Sequence, residues 1–162
     1  MTASHVLLRF AKSIFFTCGI WLIGLGAYFM FVRPALLPED LRYLGLSAIQ
    51  AAPFLARLAS WLGHVFIVVG GFMAGSGVLI TFISLRAVKK CSLVTGITLG
   101  LAGLLTVTIM SWTNFVIDSD FKWLLLVPAV AWWLGLIGYA ADIWDEQGVV
   151  TATGPSMDAA HE

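Results

Sequence analysis

Charged residues are scarce in this chain. Asp, Glu, Lys and Arg make up 11% of its 162 residues, and hydrophobic residues make up 60%. Soluble domains carry roughly 25% charged residues, so the composition excludes an ordinary soluble enzyme and predicts a protein embedded in a membrane. Nine basic and nine acidic residues cancel. A nucleic-acid partner is therefore excluded, because it would require a basic excess on one face.

Cysteine and potential metal ligands are also scarce. Cys18 and Cys91 are the only two cysteines, and they form no CxxC or Cys/His spacing typical of a zinc or redox site. Asp118 and Asp120 supply too few oxygens for calcium, which takes ~6–8 ligands. We expect Asp120 instead to cap or flank the start of the last span. The sequence predicts no metal site, no cofactor and no catalytic set.

Long apolar runs, by contrast, fill most of the chain. Each approaches the ~20 residues that a helix needs to cross a bilayer. They occupy residues 14–32, 62–85, 91–112 and 123–141. The first run is too long for the apolar part of a signal peptide, so we interpret it as a retained anchor. The sequence predicts an all-α, integral membrane four-helix bundle, with one domain over residues 1–150 and a disordered polar tail over 151–162.

The basic residues predict an orientation. Five lie in short segments, at the N-terminus and between spans two and three: Arg9, Lys12, Arg86, Lys89 and Lys90. Because cytoplasmic loops are enriched in Lys and Arg, both termini are predicted to be cytoplasmic, in a bacterial inner membrane. Tryptophan favours the membrane interface. Trp61, Trp112 and Trp123 at the predicted outer ends agree with this orientation, whereas Trp21, Trp132 and Trp133 lie deeper and are predicted to pack between helices.

The connection between spans one and two is long enough to hold structure of its own. Pro38, Glu39 and Asp40 are typical of a helix start, and apolar residues recur at helical spacing after Pro53. We therefore predict a short helical cap made of two amphipathic helices on the outer membrane surface. Such a cap either covers the end of the bundle or acts as a functional lid.

Small residues are concentrated in spans two and three. The predicted helix-packing positions are Gly63, Gly70, Gly71, Ala74, Gly75, Gly77, Gly96, Gly100 and Gly103. Small residues let helix backbones approach closely within a membrane. Since a short basic turn joins these two spans, we expect their small faces to pack on each other. The alternative is a homodimer face or a thin permeation path, and Gly75–Gly77 and Pro128 are places where a transport helix would break.

Functional side chains are few. No ionisable residue lies in the middle of a predicted span, and such residues usually mark ion and proton pathways. Arg57 and His64, near the outer boundary, are candidates for a ligand or a lipid headgroup. Otherwise they are ordinary interfacial residues. Asp142 and Glu146 are expected to pair with the basic turn at Arg86–Lys90.

Three functions remain open at this stage. The first is a small, non-enzymatic polytopic membrane protein that associates with lipids, with other membrane proteins or with itself. The second is an oligomeric component of a transporter or channel. The third is a membrane enzyme that uses Arg57 and His64 on a lipid or quinone substrate. In length and number of spans the chain resembles small bacterial membrane proteins of the DoxX-like kind, but no motif residue matches, so the resemblance implies no function.

Overall fold

The fold consists of helices throughout the described part of the chain. The computed structural model describes residues 3–45, 48–86, 88 and 92–152, with side chains at 6–45, 56–86, 88 and 92–144. The elements are α1 (Ala3–Phe31), α2 (Pro38–Leu44), α3 (Ala48–Arg86), α4 (Leu93–Gly103), a π-helical turn (Leu104–Thr108), α5 (Ile109–Val116) and α6 (Lys122–Ala152). The predicted tail, beyond Ala152, lies outside the described residues.

Within these ranges, four segments are long and apolar enough to cross a membrane. They are Val6–Phe31, Ala56–Arg86, Leu93–Val116 and Lys122–Trp144. They confirm the predicted all-α, four-span membrane bundle. We call the end of the bundle that carries α2 the cap end, and the end where α1 begins the terminal end.

The first and last spans form the middle of the bundle. α1 packs along both α3 and α6, while α4 and α5 pack on α6. α3 and α4 make little contact with each other along the described residues, so the expected packing of spans two and three is wrong. The short connection brings only their ends together at the terminal end. Along its length, each small-residue face contacts a different neighbour.

The core lies where α1 meets α6. Phe15 and Leu22 from α1, and Trp132 and Tyr139 from α6, are all almost fully buried. The rings of Phe15 and Trp132 meet edge to face with centroids 5.1 Å apart, a favoured aromatic geometry. Two helices with large, matched side chains thus form the central contact of the bundle.

α1 and α3 touch through their backbones. A Cβ atom added at Gly70 would lie 2.6 Å from the carbonyl oxygen of Gly26, and one added at Gly77 would lie 2.6 Å from that of Gly19. Ala74 also lies against Gly26. Glycine is needed here because no larger residue fits between two helix backbones at this distance.

α4 meets α6 in a different way. The indole of Trp132 lies against the backbone of Gly103, and its Nε1 donates a hydrogen bond to the carbonyl of Leu99 at 3.0 Å. The π-helical turn follows immediately, with the Ile109 N–H bonding to the Leu104 carbonyl five residues back. Insertion of a side chain against the helix backbone is a known cause of such irregularities. The sequence analysis did not predict this turn.

The other long helices are unbroken. α3 continues through Gly75–Gly77, and α6 continues through Pro128, so neither place forms the interrupted helix of a transport site. The second predicted cap helix is the start of α3, because no residue between Phe54 and Leu62 stops a helix. With 39 residues, α3 is ~58 Å long and exceeds the ~30 Å hydrocarbon core.

Candidate functional site

A lateral groove lies between α1 and the start of α6, and it is larger than a second groove between α5 and α6. Its volume is about 670 Å³, within the range of small-molecule sites. One wall comes from a single stripe of α1, from Thr17 to Phe29, and the other from Phe121, Leu124 and Leu125. Arg33 and Leu37 lie at its cap end. Because both walls belong to membrane-spanning helices, the groove opens towards the lipid.

Gly24 forms the floor of the groove. The stripe on α1 consists of Thr17, Ile20, Trp21, Gly24, Leu25 and Tyr28, which follow the helical spacing of one face. A Cβ atom at Gly24 would meet no protein atom within 4 Å. Glycine is therefore not required here by packing, and its effect is to leave the groove deep.

Three side chains with hydrogen-bonding groups line the groove without a protein partner among the described residues: Thr17, Trp21 and Tyr28. Among the described residues, neither the indole N–H of Trp21 nor the hydroxyl of Tyr28 makes a hydrogen bond. Trp21 lies twelve residues before Arg33 in α1, which is ~18 Å along the helix axis. Half of the hydrocarbon core is ~15 Å thick, so Trp21 lies near the middle of the bilayer, where water is not available.

The charged side chain at the cap end of the groove, Arg33, has an acidic partner. The guanidinium of Arg33 lies 3.6 Å from the carboxylate of Asp40, and the Arg33 side chain is 11% exposed. Its Cζ also lies 3.8 Å from the ring centroid of Phe66. Asp40 in turn accepts a 2.8 Å hydrogen bond from the backbone N–H of Leu37 at the start of α2. The mouth therefore presents no free cation.

Polar contacts fasten α2 to the connection between α5 and α6. The Ser119 hydroxyl donates to buried Glu39 at 3.2 Å, and Arg42 pairs with Asp120 at 3.0 Å. Asp120 thus pairs with the cap and flanks the start of α6, as expected, while Ser119 accepts the Phe121 N–H before α6 begins. Leu37 and Phe121, which line the groove, lie on the two sides of this junction.

The remaining acidic residue of this connection has a local partner. Lys122 bonds to the carboxylate of Asp118, and this hydrogen bond and charge hold the pKa of Asp118 below its usual range. Because Asp118 is fully exposed, the pair is screened by solvent and adds little stability. Among the described residues, no group of three metal-binding side chains occurs.

A second, smaller groove lies between α5 and α6. Its volume is about 390 Å³, and Trp133 and Thr108 are among its lining residues. The indole N–H of Trp133 already donates to the Thr108 hydroxyl at 3.0 Å. The indole of Trp112, also in the lining, makes no hydrogen bond among the described residues, but Trp112 is 71% exposed and lies four residues from the end of its span, near the membrane interface that tryptophan favours.

The structure places Arg57 and His64 away from the larger groove. Both are exposed on α3, on one face with Trp61, which is 62% exposed. The Nδ1 atom of His64 lies 2.8 Å from the carbonyl oxygen of Ser60. A carbonyl only accepts hydrogen bonds, so Nδ1 is the donor in this bond. Nε2 takes no part in it. Their role at a ligand or headgroup stays a prediction.

The predicted small packing residues divide into three sets. Gly70, Ala74 and Gly77 lie against α1, whereas Gly96, Gly100 and Gly103 lie against Tyr139, Leu136 and Trp132 of α6. Gly63, Gly71 and Gly75 have open space where a side chain would be.

Asp142 is buried and has a partner; its expected partners Lys89 and Lys90 lie outside the described residues.

The sequence analysis missed the groove itself. It assigned Trp21 to helix packing and gave no role to Gly24 or Tyr28. The available signal was the spacing of Thr17, Trp21, Gly24 and Tyr28 on one face of α1. This signal could not be separated from ordinary packing without knowing which helix stands opposite.

Three threonine hydroxyls elsewhere in the spans are satisfied locally. Thr81, Thr98 and Thr106 each donate to the backbone carbonyl four residues earlier. Trp21 and Tyr28 differ from them in having no such partner. In the larger groove, uncommitted hydrogen-bonding groups therefore lie beside open volume at mid-membrane depth.

Fold and site together define a four-span α-helical integral membrane protein with a lateral groove. The chain matches no family model, and no curated protein or solved structure matches it.

Proposed function

We propose that this is a non-enzymatic integral membrane protein that binds a lipid in the groove between α1 and α6. The observation that carries the proposal is the 670 Å³ groove, whose floor at Gly24 is open. A deep groove facing the bilayer holds a lipid chain more firmly than a flat helix surface, because the chain contacts protein on two sides. The start of α2 closes the cap end of the groove and thereby limits how far the lipid can move.

The two alternative functions have weaker support. A transporter needs a polar or ionisable path through the bundle, whereas the spans' hydroxyls at Thr81, Thr98 and Thr106 bond to their own helices. A lipid enzyme would need a nucleophile, a base and a substrate site together. Arg57 and His64 lie on α3 outside the groove, so they do not form such a set with it.

Filling the groove tests the proposal. The Cβ atom of Gly24→Leu would meet no protein atom within 4 Å and the rest of its side chain would take up groove volume, so we expect co-purified lipid per protein to fall at least fivefold while thermal stability is retained. The measurement is native mass spectrometry of protein released from nanodiscs. Gly71→Leu is the matched control, because its added side chain also meets open space but points away from the groove. Equal lipid retention in both variants would refute the groove as the binding site.

We also propose that Arg57 and His64 contact lipid headgroups at the membrane surface. The support is their shared exposed face with Trp61, a residue type that anchors proteins at the interface. The same mass spectrometry measurement includes the double variant Arg57→Ala/His64→Ala with anionic phospholipid nanodiscs. Unchanged retention of phospholipid would remove this role, without affecting the groove.

Location and orientation are further proposals. We propose a bacterial inner membrane with both termini in the cytoplasm, supported by the short basic segments around Arg9, Lys12 and Arg86. Reporter fusions at Gly148 and Asp120 should then give opposite signals, with activity of a periplasmic reporter only at Asp120. The reverse pattern would invert the topology. Association with other membrane proteins, or with a second copy, is part of the proposal that mild-detergent co-purification addresses.

A further inference from the structure

We propose that the groove selects an uncharged lipid whose oxygen-bearing head lies inside the membrane, between Tyr28 and Trp21. This inference rests on the proposed lipid-binding function and adds the chemical class of the ligand. It has three parts: the head carries hydrogen-bond acceptors, it has no net charge, and it enters the groove together with a single chain.

The acceptor requirement follows from Trp21 and Tyr28. Both residues line the groove, and their N–H and O–H groups have no protein partner in the described residues. In the hydrocarbon region an unsatisfied polar group costs several kcal/mol. Seven residue steps separate Trp21 from Tyr28 on one stripe of α1, or ~10 Å along the axis, so a head that reaches both donors carries several oxygens. A ligand head with carbonyl, ester or hydroxyl oxygens at this depth satisfies both donors.

The absence of charge follows from the pairing at the cap end. Arg33 pairs with Asp40, Arg42 with Asp120, and Lys122 with Asp118. Arg33 is the one charged residue in the lining and already pairs with Asp40, so an anionic head would compete with that carboxylate, and a cationic head would find no acid in the lining. Deeper in the groove the lining residues carry no charge, and an unpaired charge at that depth is costly. An uncharged head therefore fits both levels of the groove.

The single chain follows from the shape of the groove. The stripe from Thr17 to Arg33 covers sixteen residue steps, or ~24 Å along α1. A cavity volume of about 670 Å³ is spread over that length. Such a channel is long and narrow, which suits one extended hydrocarbon chain better than the two chains of a phospholipid.

Four probes that differ mainly in their heads test the class of ligand. They are monoolein, oleate, oleoyl-lysophosphatidylglycerol and octadecene, titrated against the full-length protein in nanodiscs with bound probe counted by native mass spectrometry. Monoolein is uncharged and has ester and hydroxyl oxygens. Oleate and the lysophospholipid are charged, and octadecene has no oxygen. We expect monoolein to bind at least fivefold more tightly than each of the others.

Two substitutions test the proposed hydrogen bonds. Trp21→Phe and Tyr28→Phe keep aromatic rings in the groove and remove one donor each. A net hydrogen bond of ~0.5–1.5 kcal/mol corresponds to a roughly 2–12-fold effect, so each variant should weaken monoolein binding by that factor and leave octadecene binding unchanged. Trp133→Phe is the control, because Trp133 lines the other groove and donates to Thr108.

The outcomes separate this inference from the proposed function. Preferential binding of monoolein, weakened in Trp21→Phe and Tyr28→Phe, supports it. Tightest binding of a charged probe, or equal binding of monoolein and octadecene, overturns it. If Gly24→Leu still lowers lipid retention in that case, the groove binds lipid of another class and the proposed function stands. If Gly24→Leu has no effect on any probe, both are overturned.

Discussion

Gly70→Leu should lower the free energy of unfolding by about 3 kcal/mol or more. Overpacking a core typically costs ~1–3 kcal/mol when side chains can adjust, and here the obstacle is backbone. A Cβ at Gly70 lies 2.6 Å from the Gly26 carbonyl oxygen and within 3.0 Å of atoms of Met30. α1 and α3 must therefore separate over several turns. The measurement is unfolding by a denaturing detergent, followed by circular dichroism and tryptophan fluorescence.

Two controls isolate the close approach of the helices. Gly71→Leu adds the same side chain at the next residue, where the structure has open space, and should be close to neutral. Leu79→Gly changes a residue that is 64% exposed on the lipid side of α3 and should cost only the ~1 kcal/mol of glycine in a helix. If all three variants unfolded at the same detergent fraction, the proposed contact between α1 and α3 would be wrong.

Trp132→Ala should be similarly damaging, by about 3–5 kcal/mol, because truncating a fully buried aromatic residue leaves a cavity. Trp132 is 0% exposed, stacks edge-on with Phe15 and bonds to the Leu99 carbonyl. It is thus the side chain that joins α1, α4 and α6. The free energy of unfolding, measured as for Gly70→Leu, gives the size of the effect.

The partial substitution Trp132→Phe separates packing from hydrogen bonding. It keeps most of the buried ring and loses the bond to Leu99, so we expect a loss between that of a hydrogen bond, ~1 kcal/mol, and that of the alanine variant. Trp133→Ala, which truncates the half-buried neighbour, should cost less than Trp132→Ala. An equal loss at the two tryptophans would contradict a central role for Trp132 at the three-helix junction.

Both predictions concern how the bundle holds its groove in place. The contacts of Gly70 and Trp132 fix α3 and α4 on the outer sides of α1 and α6, and thereby leave one α1 stripe facing lipid. Variants in the groove itself, such as Gly24→Leu, should not alter stability in the same way, because Gly24 contacts no neighbouring helix. Stability and lipid binding are thus separable properties of α1.

The sequence by itself determined that the protein lies in a membrane and where its helices form. Four apolar runs and a charged fraction of 11% leave a helical membrane bundle as the fold, because unpaired backbone groups are too costly in hydrocarbon. Pro38, Glu39 and Asp40 likewise located the start of α2, since helix starts depend on local chemistry. These conclusions needed no knowledge of which helices touch.

Only the tertiary structure decided the partners of each helix face. Gly70 and Gly77 of α3 contact Gly26 and Gly19 of α1, and the glycines of α4 contact aromatic and aliphatic residues of α6. The Thr17–Tyr28 stripe of α1 is left facing the groove. A small-residue face is compatible with any close neighbour, and connection length fixes only where two helices meet at their ends. The scarcity of charge that defines this chain therefore specifies a membrane bundle, while helix packing determines where that bundle is open to a lipid.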